Sequence, residues 1–305
     1  MANCELAHFR LTCLACIVAP IAGEWSPHVV VASAARQPPT ISSDGVPMFE
    51  NRVKQRLANG GAAWGAAVPD ASEFVAKATI DCDVDFLWID LEHRAYGTQE
   101  VRWLPILCRQ AGCVPMIRVP GLDPSWIKKS LDIGANTIMV PQINTADEAK
   151  RAVEYAKYPP AGSRGISPTW TALMDVTWDD YLPAANDETC VVVQIETPQG
   201  IANLDAIAAV DGVDVVFAGP ADLSASLGVI GQFDHPKLQQ FLADFPQRVA
   251  DRGKPAGITF PTLRQSRQAY EQGYRFINIG TLLQYGIDGL KAGLKTLREE
   301  ACQSP

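Results

Sequence analysis

The sequence predicts an α/β fold, a single-domain TIM-type (β/α)8 barrel with an N-terminal extension, and three observations carry that expectation. Beyond Met48, eight short apolar runs alternate with eight helical segments, the order that a parallel barrel of roughly 250 residues requires. Runs such as 191–195 (Val-Val-Val-Gln-Ile) are almost apolar at both parities, as strands buried on two faces are. Several runs end abruptly in charged or amide side chains, at the strand ends where barrels of this type build their sites. The open doubly wound sheet would want a G-x-G-x-x-G turn after an early strand, and the sequence has none.

In order, 50–58 reads as a short amphipathic helix stopped by Asn59-Gly60-Gly61. Strands are expected at 63–68, 86–90, 115–119, 137–141, 191–196, 215–218, 255–259 and 276–279. Helices are expected at 70–78, 98–111, 123–133, 145–155, 199–209, 236–251, 262–272 and 282–300. Asp123-Pro124 and Asn144-Thr145 supply helix starts. Gly112, Gly134 and Gly273 sit where helices should stop. Between the fourth and fifth strands, one helix and a long loop, 159–176, are expected, and loops of that length commonly serve as lids or binding segments.

The 305 residues are 47% hydrophobic and 20% charged, enough apolar material for a sizeable core. A net charge of −8 argues against a nucleic-acid partner. Residues 1–47 stand apart from the barrel domain, 48–305. Their apolar stretch 11–23 is too short to span a membrane but long enough for a signal core. Glu5 cancels Arg10 there, which favours a poorly structured extension, and with it a cytoplasmic protein, over an export or organelle signal. Cys13-x-x-Cys16 has no second pair at metal-finger spacing. Cys82, Cys108, Cys113 and Cys190 read as small buried apolar residues in a reducing compartment.

The expected strand ends gather Asp90, Glu92 and His93, then Arg118, Gln142, Gln194 with Glu196, Asp222 and Thr259 on one rim. Gln194 and Glu196 share a parity and should face inward. A buried Glu196 needs a cation or a salt bridge; Arg118 is one candidate partner. With Asp222 added, a surplus negative charge remains, which suits a divalent cation such as Mg2+, Mn2+ or Co2+. Gly219-Pro220-Ala221-Asp222 opens a helix whose free N–H groups would favour a substrate carboxylate, which makes Gln194, Ala221 and Asp222 candidate substrate contacts. His93 is a candidate general base and Arg118 an oxyanion partner. Schiff-base chemistry lacks a lysine inside the strands or at their carboxyl ends, Lys254 lying at the wrong end of its own; a serine triad lacks its G-x-S-x-G turn.

These positions fall within motifs that resemble the HpcH/HpaI aldolases, metal-dependent pyruvate aldolases related to the citrate lyase β-subunit. The motifs are Phe86-Leu87-Trp88-Ile89-Asp90-Leu91-Glu92-His93, Ile117-Arg118-Val119-Pro120, Leu131-Asp132-Ile133-Gly134-Ala135, Met139-Val140-Pro141, Tyr158-Pro159-Pro160 with Gly162-Ser163-Arg164-Gly165, Val193-Gln194-Ile195-Glu196-Thr197 and Gly219-Pro220-Ala221-Asp222-Leu223-Ser224. The resemblance implies cleavage of 4-hydroxy-2-oxo acids to pyruvate and an aldehyde. It implies Glu196 and Asp222 as metal ligands, Arg118 as the residue that steadies the enolate oxygen, and His93 as base, paired with Asp132. On a helix end away from the rim, Asp132 would reach His93 only across a subunit interface, which implies a homo-oligomer with a shared site. Arg94-Ala95-Tyr96 and the segment 166–181 depart from the family pattern; both are expected to border the aldehyde. A citrate-lyase-like enzyme acting on acyl-CoA and a non-catalytic acid-binding barrel are the competing readings.

Overall fold

The computed structural model describes residues 49–303; the expectations placed on 1–47, with Cys4, Cys13 and Cys16, lie outside the described residues. Eight parallel strands close into a barrel in sequence order: β1 (Ala63–Ala67), β2 (Phe86–Asp90), β3 (Val114–Arg118), β4 (Thr137–Val140), β5 (Cys190–Ile195), β6 (Val215–Ala218), β7 (Ala256–Thr259) and β8 (Phe276–Thr281). β1 pairs with both β2 and β8, so no edge is left open. The helices are α1 (Arg52–Ala58), α2 (Glu73–Ile80), α3 (Leu104–Gln110), α4 (Pro124–Asp132), α5 (Ala146–Ala156), α6 (Trp178–Glu188), α7 (Pro198–Ala202), α8 (Leu204–Ala208), α9 (Pro220–Ser226), α10 (Pro236–Ala250), α11 (Leu263–Glu271) and α12 (Leu282–Gln303).

Capping explains several helix starts. Asp123 accepts from the Ser125 and Trp126 amides at 2.7 and 3.1 Å, and Thr145 with Glu148 forms a capping box that opens α5. Gly112, Gly134 and Gly273 follow α3, α4 and α11 in the left-handed region.

The barrel interior is aromatic. Phe86 stacks on Phe276 at 4.2 Å, and Phe217 meets Phe276 and Trp88 edge-on at 6.3 and 5.5 Å. Each fully buried ring contributes on the order of 1.5–3 kcal/mol. The Phe86 ring fills the space beside Gly65, where a Cβ would lie 2.2 Å from it. α1 closes the N-terminal mouth with buried Val53 and Leu57. The Asn51 side chain fastens it by donating to Asn136 O, Thr137 Oγ1 and Glu188 O at 3.0 to 3.2 Å.

The structure corrects five expectations. The helix placed at 98–111 begins only at Leu104, because Pro105 is tolerated in a first turn but not in an interior. The helix placed at 199–209 breaks into α7 and α8 at Asn203, whose side chain donates to Asn144 O at 2.7 Å. The stretch before β5 holds a second helix, α6, which Thr177 caps and which tolerates Pro183. Cys82 is exposed, whereas Cys108, Cys113 and Cys190 are buried.

The fifth correction concerns the expected lid. The segment 157–189 follows α5, after the chain has returned to the N-terminal end of the barrel, so within one chain it lies opposite the strand carboxyl ends. Its Trp170 is fully buried, meets Tyr181 edge-on at 5.0 Å and carries the Arg109 guanidinium 3.9 Å above its ring. Among the described residues, no helix is long and apolar enough to cross a membrane.

Candidate active site

A cavity of about 320 Å³ opens at the carboxyl ends of the strands, with Trp88, Asp90, His93, Arg94, Arg118, Gln194, Gly219, Asp222, Thr259 and Asn278 in its wall. Asp90 and Arg118 are register partners on β2 and β3. Arg118 Nε donates to Asp90 Oδ1 at 2.9 Å and Nη2 to Oδ2 at 2.7 Å, and Nη1 lies 2.9 Å from Glu92 Oε2. The Trp88 ring lies beneath the guanidinium at 4.9 Å. Burial would raise the Asp90 carboxyl, but the two Arg118 bonds outweigh it and hold it below the ordinary carboxylate value. Glu92 is raised instead, because burial and the nearby Asp90 and Asp222 outweigh Arg118 and His93.

Gln194 and Glu196, at the end of β5, are both about 2% exposed. Gln194 Nε2 donates to Glu196 Oε1, and the Gln142 amide donates to Oε2 at 3.1 Å. Gln142 holds a left-handed backbone, φ 54°, to direct that amide, a conformation that costs energy in a non-glycine residue. A Cβ at Gly219 would lie 2.7 Å from Glu196 Oε1, so glycine lets β6 end against the carboxylate. Arg118 is not the salt-bridge partner of Glu196, because Asp90 and Glu92 occupy it. Burial first, then Glu92 and Asp222, push Glu196 up to about 8.

The expected residues separate into two groups. His93, Arg118, Gln194, Ala221 and Asp222 line the cavity and Glu196 supports it from below. The His93 side chain is 56% exposed, with Nε2 3.7 Å from Glu92 Oε2. Asp132 is elsewhere: its Oδ1 accepts from the buried Arg164 at 2.9 Å, and its backbone oxygen accepts from Thr169 Oγ1 at 2.7 Å. The helix opened by Ala221 and Asp222 is the seven-residue α9, with no side chain capping it. The buried lysine Lys157 donates to Thr189 O at 2.6 Å in the segment before β5 and takes no part in the cavity wall.

Sequence reasoning placed Asp90 and Glu92 on the rim without giving them Arg118, although aligning the ends of β2 and β3 would have paired Asp90 with it. It missed Asn278, which lies inside the strand expected at 276–279 and not at its end. The parity of Phe276 and Asn278 was the available signal.

Among the described residues, no three His, Cys, Asp or Glu side chains converge closely enough to cage a metal ion. The donor set nevertheless fits a divalent cation. Glu196 and Asp222 are oxygen donors from neighbouring strand ends, and the crowding that raises Glu196 is what a positive ion between them would relieve. Two carboxylates with waters and a chelating ligand are enough for Mg2+ or a similar ion.

Comparison with known proteins shows the family of the chain. Residues 65–288 match the family model described as HpcH/HpaI aldolase/citrate lyase. The chain is similar to a hydroxypyruvate/pyruvate aldolase of Roseobacter denitrificans, 39% identical over 75% of this chain and 90% of the relative. It is also similar to a 5-keto-4-deoxy-D-glucarate aldolase of Shigella boydii, 35% identical over 78% and 93%. A solved HpcH/HpaI aldolase/citrate lyase family protein of Burkholderia cenocepacia superposes with a TM-score of 0.76 at 32% identity, covering 81% of this chain and 99% of that one.

Proposed function

The chain belongs to the HpcH/HpaI aldolase/citrate lyase family and is a carbon–carbon lyase, and from that premise we propose that it cleaves and forms 4-hydroxy-2-oxo acids, with pyruvate and an aldehyde as the two halves. The observation that carries the reading is the grouping of one guanidinium, the buried carboxylate of Glu196, the exposed carboxylate of Asp222 at the neighbouring strand end and a histidine at a single cavity.

We assign the cation to Glu196 and Asp222, with Mg2+, Mn2+ and Co2+ all suited to the oxygen donors. When bound, it supplies Lewis acidity to the keto and carboxylate oxygens of the substrate. Arg118 has five N–H donors, and its three contacts with Asp90 and Glu92 leave two for the oxygen on which negative charge develops. Gln194, held against Glu196, keeps its buried Oε1 unpartnered among the described residues and available to substrate or water. Ala221 and Asp222 flank the carboxylate end.

His93 takes the proton of the C4 hydroxyl through a water as the C3–C4 bond breaks. The bonding pair passes to C3 and gives the enolate of pyruvate, and a proton delivered to C3 completes the product. Glu92 stands beside His93 within the chain. Asp132, held by Arg164, assists in this reading from a second subunit of a homo-oligomer. The buried Cys108, Cys113 and Cys190 thiols suit a cytoplasmic setting.

Pyruvate release from a 4-hydroxy-2-oxo acid, and its suppression by EDTA, tests the proposal. Turnover of acyl-CoA esters with no hydroxy-oxo acid cleavage would replace it with the thioester reading.

A further inference from the structure

Beside the polar cavity lies a second one of about 310 Å³, and Pro220, Ala221, Thr259 and Asn278 belong to the walls of both. The two spaces therefore adjoin, but their chemistry differs. Asp90, His93, Arg94, Arg118 and Asp222 face the first. Among the described residues, no charged side chain lines the second, whose outer wall is Phe233, Phe260 and Pro261.

The polar groups of the second wall are largely engaged. Gln265 Oε1 accepts from Thr262 Oγ1 at 2.7 Å and Thr281 Oγ1 accepts from the Gln284 amide at 3.2 Å. A buried exception lies at the shared seam. Asn278 is 3% exposed; its Nδ2 donates to Thr259 Oγ1 at 2.8 Å, while Oδ1 is buried without a partner among the described residues. A buried acceptor without a partner is costly until a ligand or water supplies a donor. The hydrogen-bonding part of a ligand thus belongs at the seam, and what extends beyond it meets only carbon and neutral groups.

We propose that this second cavity receives the substituent of the aldehyde half, and that it selects neutral aldehydes with an apolar alkyl or aryl chain over carboxylate-bearing ones. The inference rests on the aldolase reading and adds the substrate class of its second half. A carboxylate moved into this space would lose its water and find no cation on the wall. An alkyl chain there would leave water for Phe233, Phe260 and Pro261. Phe233 is 44% exposed at the outer edge, so longer chains have an exit.

The test is aldol addition of pyruvate to hexanal and to succinic semialdehyde, with the divalent cation present, alongside deuterium exchange into the pyruvate methyl. Hexanal should be favoured at least tenfold in kcat/KM. Phe260→Ser should lower the hexanal-to-semialdehyde ratio roughly 10- to 100-fold, and Phe233→Ala should lower it in the same direction. Both aldehydes are read on one preparation, so partial unfolding cancels from the ratio. Equal or better use of the semialdehyde, or a ratio indifferent to both variants, overturns the inference while methyl exchange stands. Loss of methyl exchange and of all aldol products in the unmodified protein takes down the aldolase reading and this inference with it.

Discussion

Asp90 and Arg118 end neighbouring strands in register, so the strand pairing itself brings their side chains into a two-bond contact inside the cavity. The guanidinium is oriented by backbone pairing, by Glu92 and by the Trp88 face before any substrate arrives. A planar fork of this kind is not reproduced by lysine.

Arg118→Lys is therefore expected to keep the charge and lose the geometry. Deuterium exchange into the pyruvate methyl should fall about 100-fold. Arg118→Ala would in addition leave Asp90 and Glu92 buried without a counter-ion and cost about 3–5 kcal/mol of stability. Normal exchange in the lysine variant would leave Arg118 a structural ion pair.

Cation binding should be visible without turnover. Saturating Mn2+, at about 100 times its Kd, should stabilise the native protein by about 2.7 kcal/mol, read as a rise in Tm. Glu196→Gln and Asp222→Asn should fold and lose that rise. A variant that keeps the full rise would remove its residue from the ligand set.

Lys157 gives a pH dependence separate from the cavity. Burial, then the nearby Lys54, bring its ammonium down from 10.5 to about 8. Between these values the unfolded chain binds a proton that the folded chain does not, so stability rises with pH across that window. Below about 8 both states are protonated and the folded state carries the whole penalty, on the order of 3 kcal/mol. Urea midpoints at pH 7 and 9.5 should show the rise, and Lys157→Met should reduce it. An unchanged slope in the variant would assign the rise to other groups.

A site shared between subunits predicts complementation. Asp132→Asn and His93→Ala preparations, each impaired alone, should regain activity when dissociated and reassembled together. Two inactive partners that stay inactive in mixed oligomers would confine Asp132 to its ion pair with Arg164.

The barrel was legible because its signal repeats: eight buried runs, polar strand ends and helix starts such as Asp123 and Thr145 each point to the same architecture. The cavity residues His93, Arg118, Gln194, Ala221 and Asp222 were legible for a related reason, since strand ends in a parallel barrel share a rim. Pairing within the rim was less legible. Arg118 was offered to Glu196 on charge alone, whereas adjacency of β2 and β3 gives it to Asp90. The apolar compartment was invisible because Phe233 and Phe260 come from loops after different strands, and no periodicity links them.

The plug formed by α1, beneath a floor of stacked phenylalanines, closes the N-terminal mouth of the barrel and leaves the cavity open on the side of the strand carboxyl ends. On that side Glu196 lies deeper than the exposed His93. On the proposed reading, pyruvate is held at the deeper end, so in synthesis it is expected to enter ahead of the aldehyde and in cleavage to leave behind it. That reading carries an order of traffic, with pyruvate as the last product to depart.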